Sequence, residues 1–419
     1  MTPTAAIQPV TSKERIDVID ITRGFALLGI LLVNMETFRR PVYAYMSGLN
    51  QPAGLDKLAA WLIAFFAEGK FFSLFSFLFG LGLYLLMERV EGRGGRFVPL
   101  YLRRMAVLLG FGLLHGFLLW CGDILLPYAI LGVLLLLFRK RSPRGLLTWT
   151  VVFLALSILI QGGLLGLTEV GRAFSGPGAM EAMFEESRQQ AIAATNQAIQ
   201  VYTQGSLAEI FNQRIADELF MLPFNFFIAP NIFAMFLLGL YFGKRQIFRD
   251  IPQYLPLFRR LLVIGLVVGV TGNLIYVIAG EGASPSNPSL NSLISWAGQA
   301  VGAPMLSLAY LSAIVLLTQR EAWKRRLSPL GAVGRMALSN YILQTLICTT
   351  IFYNYGLGLY NRVGEAVGLL LTFAIFLAQI PLSRWWLKRF RFGPLEWLWR
   401  SLTYGSWQPM RLKAESSSE

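Results

Sequence analysis

Histidine is almost absent from this chain, with one in 419 residues, and cysteine occurs twice. That scarcity excludes Cys/His zinc centres and His-rich clusters, so no metal site is expected. Cys121 and Cys348 have neither pairing nor metal-ligand spacing and read as ordinary buried thiols. Charge is scarce as well. Charged residues make up 14% of the chain, where a soluble domain carries about 25%, and the mean hydropathy is +0.54. Acids are the rarer sign: 23 Asp and Glu stand against 37 Lys and Arg, a net charge of +14. Glu68-Gly-Lys70 lacks the earlier glycine and the following Ser/Thr of a phosphate-binding P-loop.

What the chain does have is apolar runs, each near the length that crosses a bilayer. Ten spans are expected, near residues 21–38, 70–87, 101–120, 123–138, 145–167, 227–242, 258–280, 294–317, 333–354 and 364–386. The fold class is therefore all-α, polytopic membrane protein. The first run follows a polar stretch with three acids and ends in no small-x-small site, so no cleavable signal peptide is expected. Assigning the loops alternately to two sides leaves only Arg39, Arg40, Lys57, Lys70, Arg172, Arg188, Arg214 and Arg362 on one of them; the other holds 29 of the 37 basic residues. By the positive-inside rule the rich side is cytoplasmic, with both termini there. The positive charge is thus accounted for without nucleic acid.

Four segments are expected: an N-terminal membrane half (1–167), a helical cap (168–222), a C-terminal membrane half (223–390) and an interfacial helix with tail (391–419). In the cap, Met180, Phe184, Ile192, Ile199 and Tyr202 follow the break Ser175-Gly-Pro-Gly178 at helical spacing. Ser206-Leu-Ala-Glu209 is a capping box that opens a second helix, with Leu207, Ile210, Phe211 and Ile215 inward. Glu181, Glu185, Glu186, Glu209, Asp217 and Glu218 are expected on an acidic outer face. Pro394 suits the first position of a tail helix, and Glu396 and Arg400 form an i, i+4 pair. Five spans on each side of the cap permit an inverted repeat, but matching segments are not evident.

Polar side chains within spans are costly and tend to face protein or a wet cavity. Asn34 lies roughly 20 Å above the start of its span, and His115 about as deep. With Asn231, Asn273, Gln299 and Gln344 they form a layer in the outer half. Either these amides bond neighbouring helices, or they line a pocket that opens outward. Asp20 and Arg23 can pair at i, i+3, and Arg23 and Asn34, eleven residues apart, share one helix face roughly 16 Å apart. Gly24 lets a neighbouring backbone approach that face. His115, between Gly112 and Gly116, reads as a satisfied core histidine or as a general base. Asp123 reads as a helix N-cap or as its catalytic partner. Asn340, Gln344 and Cys348 make a stripe at i, i+4, i+8.

Arg15-Ile-Asp-Val-Ile-Asp-Ile-Thr-Arg-Gly-Phe-Ala-Leu-Leu-Gly-Ile, Gly69-Lys-Phe-Phe-Ser-Leu-Phe-Ser-Phe-Leu-Phe-Gly80, Gly122-Asp-Ile-Leu, Met336-Ala-Leu-Ser-Asn-Tyr341 and Gly393-Pro-Leu-Glu-Trp-Leu-Trp-Arg400 together resemble the bacterial YeiB family, nearly end to end. That family carries a C-terminal domain of unknown function and has been linked to transport. The first motif also resembles the Asp-x-x-Arg-Gly start of transmembrane acyltransferases, matched by Asp20, Arg23 and Gly24. The resemblance implies an acyltransferase-like bundle in the bacterial inner membrane. It further implies an acyl-thioester donor such as acetyl-CoA on the cytoplasmic side and an extracytoplasmic acceptor. A sugar O-acyltransferase has histidine where this chain has Asn34, a departure that touches catalysis rather than fold.

The expected function is acyl transfer, with His115 and Asp123 catalytic and Asp20, Arg23, Asn34, Asn340 and Gln344 binding substrate. Basic loops near Arg103 and Arg104 would help Arg23 to meet donor phosphates. A small-molecule or lipid transporter using the same pocket is the alternative. Expected partners are the bilayer and a small-molecule, sugar or lipid substrate, with a second copy of the chain left open.

Overall fold

A computed structural model describes residues 16–176, 178–281, 283 and 288–412. Arg15 of the first motif and Pro177 of the cap's leading break lie outside them. The described residues form helices α1 (Asp17–Arg39), α2 (Val42–Met46), α3 (Gly54–Phe66), α4 (Lys70–Gly92), α5 (Phe97–Leu114), α6 (Leu125–Leu135), α7 (Pro143–Phe174), α8 (Ala179–Gln204), α9 (Leu207–Lys244), α10 (Ile251–Gly280), α11 (Leu290–Thr318), α12 (Glu321–Arg335), α13 (Ala337–Phe352), α14 (Glu365–Leu387) and α15 (Pro394–Tyr404). Among these residues the one β contact is an isolated bridge between Phe390 and Arg411.

Eight helical stretches are long and apolar enough to cross a membrane, and Leu125–Phe138 and Ala337–Phe352 are shorter apolar helices. These ten cover the ten expected spans, but two fall short. The 16 residues of α13 rise only about 24 Å, less than a hydrocarbon core of about 30 Å. α13 is largely buried, whereas α6 leaves Ile130, Val133 and Leu134 exposed, and both carry residues of the site described below.

Close helix crossings position the bundle. A Cβ on Gly24 would lie 2.0 Å from the Leu330 carbonyl oxygen of α12, and one on Gly334 would lie 1.9 Å from the Asp20 oxygen of α1. The two glycines therefore let α1 and α12 touch backbone to backbone, as small residues do between membrane helices. Gly80 and Gly239 do the same for α4 and α9, each 1.9 Å from the partner helix's carbonyl oxygen by the same measure. The apolar faces left over are filled by aromatic packing: in the Phe71–Phe79 run, Phe71 and Phe77 are core residues. α7 and α10 are peripheral, with Val151, Leu159, Val263 and Val267 exposed, which suits contact with lipid.

The cap departs from expectation in two ways. Ser206 does close a capping box with Glu209, but the helix it opens runs unbroken to Lys244, through Pro223 and Pro230. Cap and membrane half thus share one helix across residues 222 and 223. Its buried face is also different. Leu207 and Phe211 are exposed, whereas Ile210, Gln213, Asp217 and Glu218 are buried. Asp217 accepts from the Tyr202 hydroxyl at 2.6 Å and from Gln213 at 2.7 Å. The last two residues of the expected acidic outer face therefore point inward; hydrogen bonds from α8 and α9 satisfy Asp217 there.

Candidate active site

α5 is bounded on two sides by close neighbours. A Cβ on Gly112 would lie 2.5 Å from the Leu126 nitrogen of α6, and one on Gly116 3.0 Å from the Glu218 carboxylate of α9. Past Leu114 the helix widens into a single π turn, His115–Leu119, and Trp120 is extended. Such turns redirect side chains away from the regular helical face. The chain then doubles back through Cys121, Gly122 and Asp123 into α6.

This reversal brings His115 and Asp123 together. His115 Nδ1 lies 2.8 Å from Asp123 Oδ1, and Nε2 lies 2.9 Å from Thr345 Oγ1 of α13. Asp123 Oδ2 accepts from the Leu126 amide at 2.6 Å, so this one residue both caps the start of α6 and orients the imidazole. With Asp123 ionised, Nδ1 carries the proton and Nε2 offers its lone pair to the Thr345 hydroxyl. All three side chains are buried. The Tyr341 ring centroid is 4.9 Å from that of His115, and its hydroxyl donates to Gly122 O at 3.1 Å.

A cavity of about 350 Å³ lies below this group. Along α1 it is lined by Asp20, Arg23, Leu27 and Ile30, one face of the helix. Its mouth carries Arg23, Arg89, Arg104, Arg335, Arg391 and Arg400 against two acids, Asp20 and Glu396; its walls are Leu27, Leu78 and Leu108; its deep end is Ile124 and Tyr341. From Arg23 to Ile30 the rise is roughly 10 Å. The cavity therefore opens at the basic end, not at the outer end as the amide layer suggested. It stops one side chain short of His115, since Tyr341 separates them.

The tail helix α15 covers the mouth. Expected only to anchor in the interface, it supplies Glu396, Trp399 and Arg400 to the cavity lining. Arg104 stacks on the Trp399 ring at 3.8 Å, and the Trp399 indole donates to Arg104 O at 3.0 Å. Glu396 accepts from the Leu338 and Ser339 amides at 2.7 and 3.0 Å and from the Ser339 hydroxyl at 2.5 Å. Its carboxylate thus caps the start of α13. Burial pushes that carboxyl above its ordinary range, against the pull of the Ser339 and Leu338 donors.

Asp20 and Arg23 pair at 3.1 Å at the cavity mouth. Asn34 occupies the next position of the same α1 face beyond Ile30, half-buried and outside the cavity lining. Asn340 bonds the Val333 carbonyl at 3.2 Å and Ser383 at 3.0 Å, and Gln344 donates to Gln379 at 2.9 Å. These two join α13 to α12 and α14 rather than facing the cavity. Glu36, at the other end of α1, is engaged by Arg39 and Asn50.

A family described as a protein of unknown function, DUF418, matches residues 242–406. The chain is similar to the uncharacterized protein YxaH of Bacillus subtilis strain 168, with 40% identity over 98% of this chain and 100% of the relative. It is also similar to the uncharacterized protein YeiB of Escherichia coli K12, with 30% identity over 93% of this chain and 96% of the relative. The chain belongs to the YeiB family. In this YeiB-family protein the DUF418 portion supplies Arg335, Tyr341, Thr345, Glu396 and Arg400, while Arg23, Arg104, His115 and Asp123 precede it. The site exists only where the two parts meet.

Several contributors escape a reading of the YeiB-family sequence. Thr345 is an unremarked threonine in an apolar helix, and only the fold sets it against His115. Glu218 looks like a cap surface acid. It is 1% exposed, and its Oε2 has no hydrogen-bond partner among the described residues. Tyr341, Arg391 and Arg400 lie in or beside two motifs of the resemblance, which was the one signal available for them.

Proposed function

We propose that this YeiB-family protein is a membrane acyltransferase. It takes an acyl group from a thioester donor at the basic end and gives it to an acceptor reached from the cap end. One observation carries this reading: an arginine-rich mouth leads along apolar walls to within one side chain, Tyr341, of a buried imidazole held between a carboxylate and a hydroxyl. The mouth suits the phosphates of a donor such as acetyl-CoA, because guanidinium groups bind them as planar forks. The walls suit a narrow uncharged arm. His115, aligned by Asp123, would accept a proton as the acyl carbonyl is attacked, a role worth about 10² to 10⁴ in rate. The excess of basic residues on that side supports a mouth at the cytoplasmic face of the bacterial inner membrane.

A transporter could use the same cavity, but it has no need of an imidazole fixed in this way. The test is thiol release from acetyl-CoA by purified protein in nanodiscs, supplied with a membrane extract as source of acceptor. Release that falls by about 10² or more in His115→Gln, with folding and CoA binding intact, is expected. Undiminished release in a well-folded His115→Gln would overturn the role of His115.

A further inference from the structure

Threonines inside helices ordinarily donate to the carbonyl four residues earlier. Thr22, Thr150 and Thr372 do so at 2.7, 2.9 and 3.0 Å. Thr345 is different. Its hydroxyl stands 3.4 Å from the Tyr341 carbonyl but 2.9 Å from His115 Nε2. The hydroxyl is thus drawn off its local partner and onto the imidazole, whose other nitrogen is fixed by Asp123 at 2.8 Å. Carboxylate, imidazole and hydroxyl then follow the order that activates an oxygen nucleophile. Thr345 also lies one turn beyond Tyr341, the residue at the deep end of the cavity, and is fully buried from solvent.

We propose that Thr345 is the nucleophile of this site and carries the acyl group as an ester between donor and acceptor. The proposal rests on the acyltransferase reading and adds a covalent intermediate to it. The Tyr341 ring, latched by its bond to Gly122 O, swings aside to admit the thioester. Thr345 Oγ1 attacks the thioester carbonyl carbon and its proton passes to His115 Nε2. The carbon–sulfur bond breaks, the leaving thiolate takes that proton, and free thiol departs. In the second half an acceptor hydroxyl gives its proton to Nε2 and attacks the ester carbonyl. The threonine oxygen leaves and recovers the proton from the imidazolium. Asp123 keeps its bond to Nδ1 throughout and stabilises the imidazolium.

The experiment incubates purified protein in nanodiscs with acetyl-CoA and no acceptor, then quenches with acid and maps peptides by mass. Wild type and Thr345→Ser should carry one alkali-labile acetyl group on residue 345. Thr345→Val and His115→Gln, both checked for a normal melting profile, should carry none, and Thr345→Val should lose turnover. An acetyl group on another residue would overturn the proposal. So would Thr345→Val with turnover within a few-fold of wild type, which would leave direct acyl transfer standing. Failure of the wild type to bind or consume acetyl-CoA would instead remove the reading beneath it.

Discussion

Gly24→Ala puts a methyl group where α12 already has backbone. Its Cβ would sit 2.0 Å from the Leu330 oxygen, 2.8 Å from the Leu330 carbon and 3.2 Å from the Gly334 nitrogen. None of these is the end of a flexible side chain, so α1 and α12 must separate by about 1 Å or more. Overpacking of this kind costs typically 1–3 kcal/mol, and a collision with backbone belongs at the upper end, about 3 kcal/mol. Gly163→Ala on α7 is the control, because a Cβ there meets nothing within 4 Å. It should stabilise by about 0.5–1 kcal/mol through helix propensity. Arg23 and Arg335 sit beside the crossing and line the cavity, so Gly24→Ala should also weaken CoA binding while Gly163→Ala leaves it unchanged. Thermal unfolding in detergent with a buried-thiol dye, followed by CoA titration, reads both effects. If Gly24→Ala melts with the wild type, the close crossing is wrong and the mouth's geometry goes with it.

Arg23→Lys keeps the charge but loses the planar fork, so CoA affinity should fall at least tenfold; unchanged affinity would reduce Arg23 to an interfacial residue. Glu218→Gln replaces a fully buried carboxyl that has one oxygen without a hydrogen-bond partner among the described residues. It should raise thermal stability by about 1–3 kcal/mol, and a lower melting temperature would show that the carboxylate is compensated. Trp399→Ala removes the indole that holds α15 to Arg104, so limited proteolysis should cut faster around Arg391; equal rates would mean that α15 is held elsewhere. In a Cys-free background, a cysteine at Ser187 should react with an impermeant thiol reagent outside intact cells and one at Ser142 should resist it; the reverse pattern would invert the orientation.

The helices were legible because each membrane span must be an apolar run of fixed length; eight such helices and two shorter apolar ones are present among the described residues. Caps carried their own chemistry: Ser206 with Glu209, and Pro394 at the start of α15, are where local residues required. A depth for Asn34, His115, Asn273 and Gln344 can be estimated from the sequence, but depth does not give the direction a side chain faces. Asn273 bonds Gly269 O within its own helix and Gln344 bonds Gln379 of α14, and neither lines the cavity. Asp123 could be read as a cap or as a partner of His115, and it is both, which spacing cannot reveal across a π turn. Thr345 was illegible because nothing local marks it. Its position 230 residues from His115 is set by packing alone.

The most direct measurement is a cryo-EM map of the protein in nanodiscs with a non-hydrolysable thioether analogue of acetyl-CoA. The account predicts phosphate density against Arg23, Arg104 and Arg400, with the thioether end beneath Tyr341 and facing Thr345. A cavity filled by a lipid chain at saturating analogue, with no density at those arginines, would contradict it.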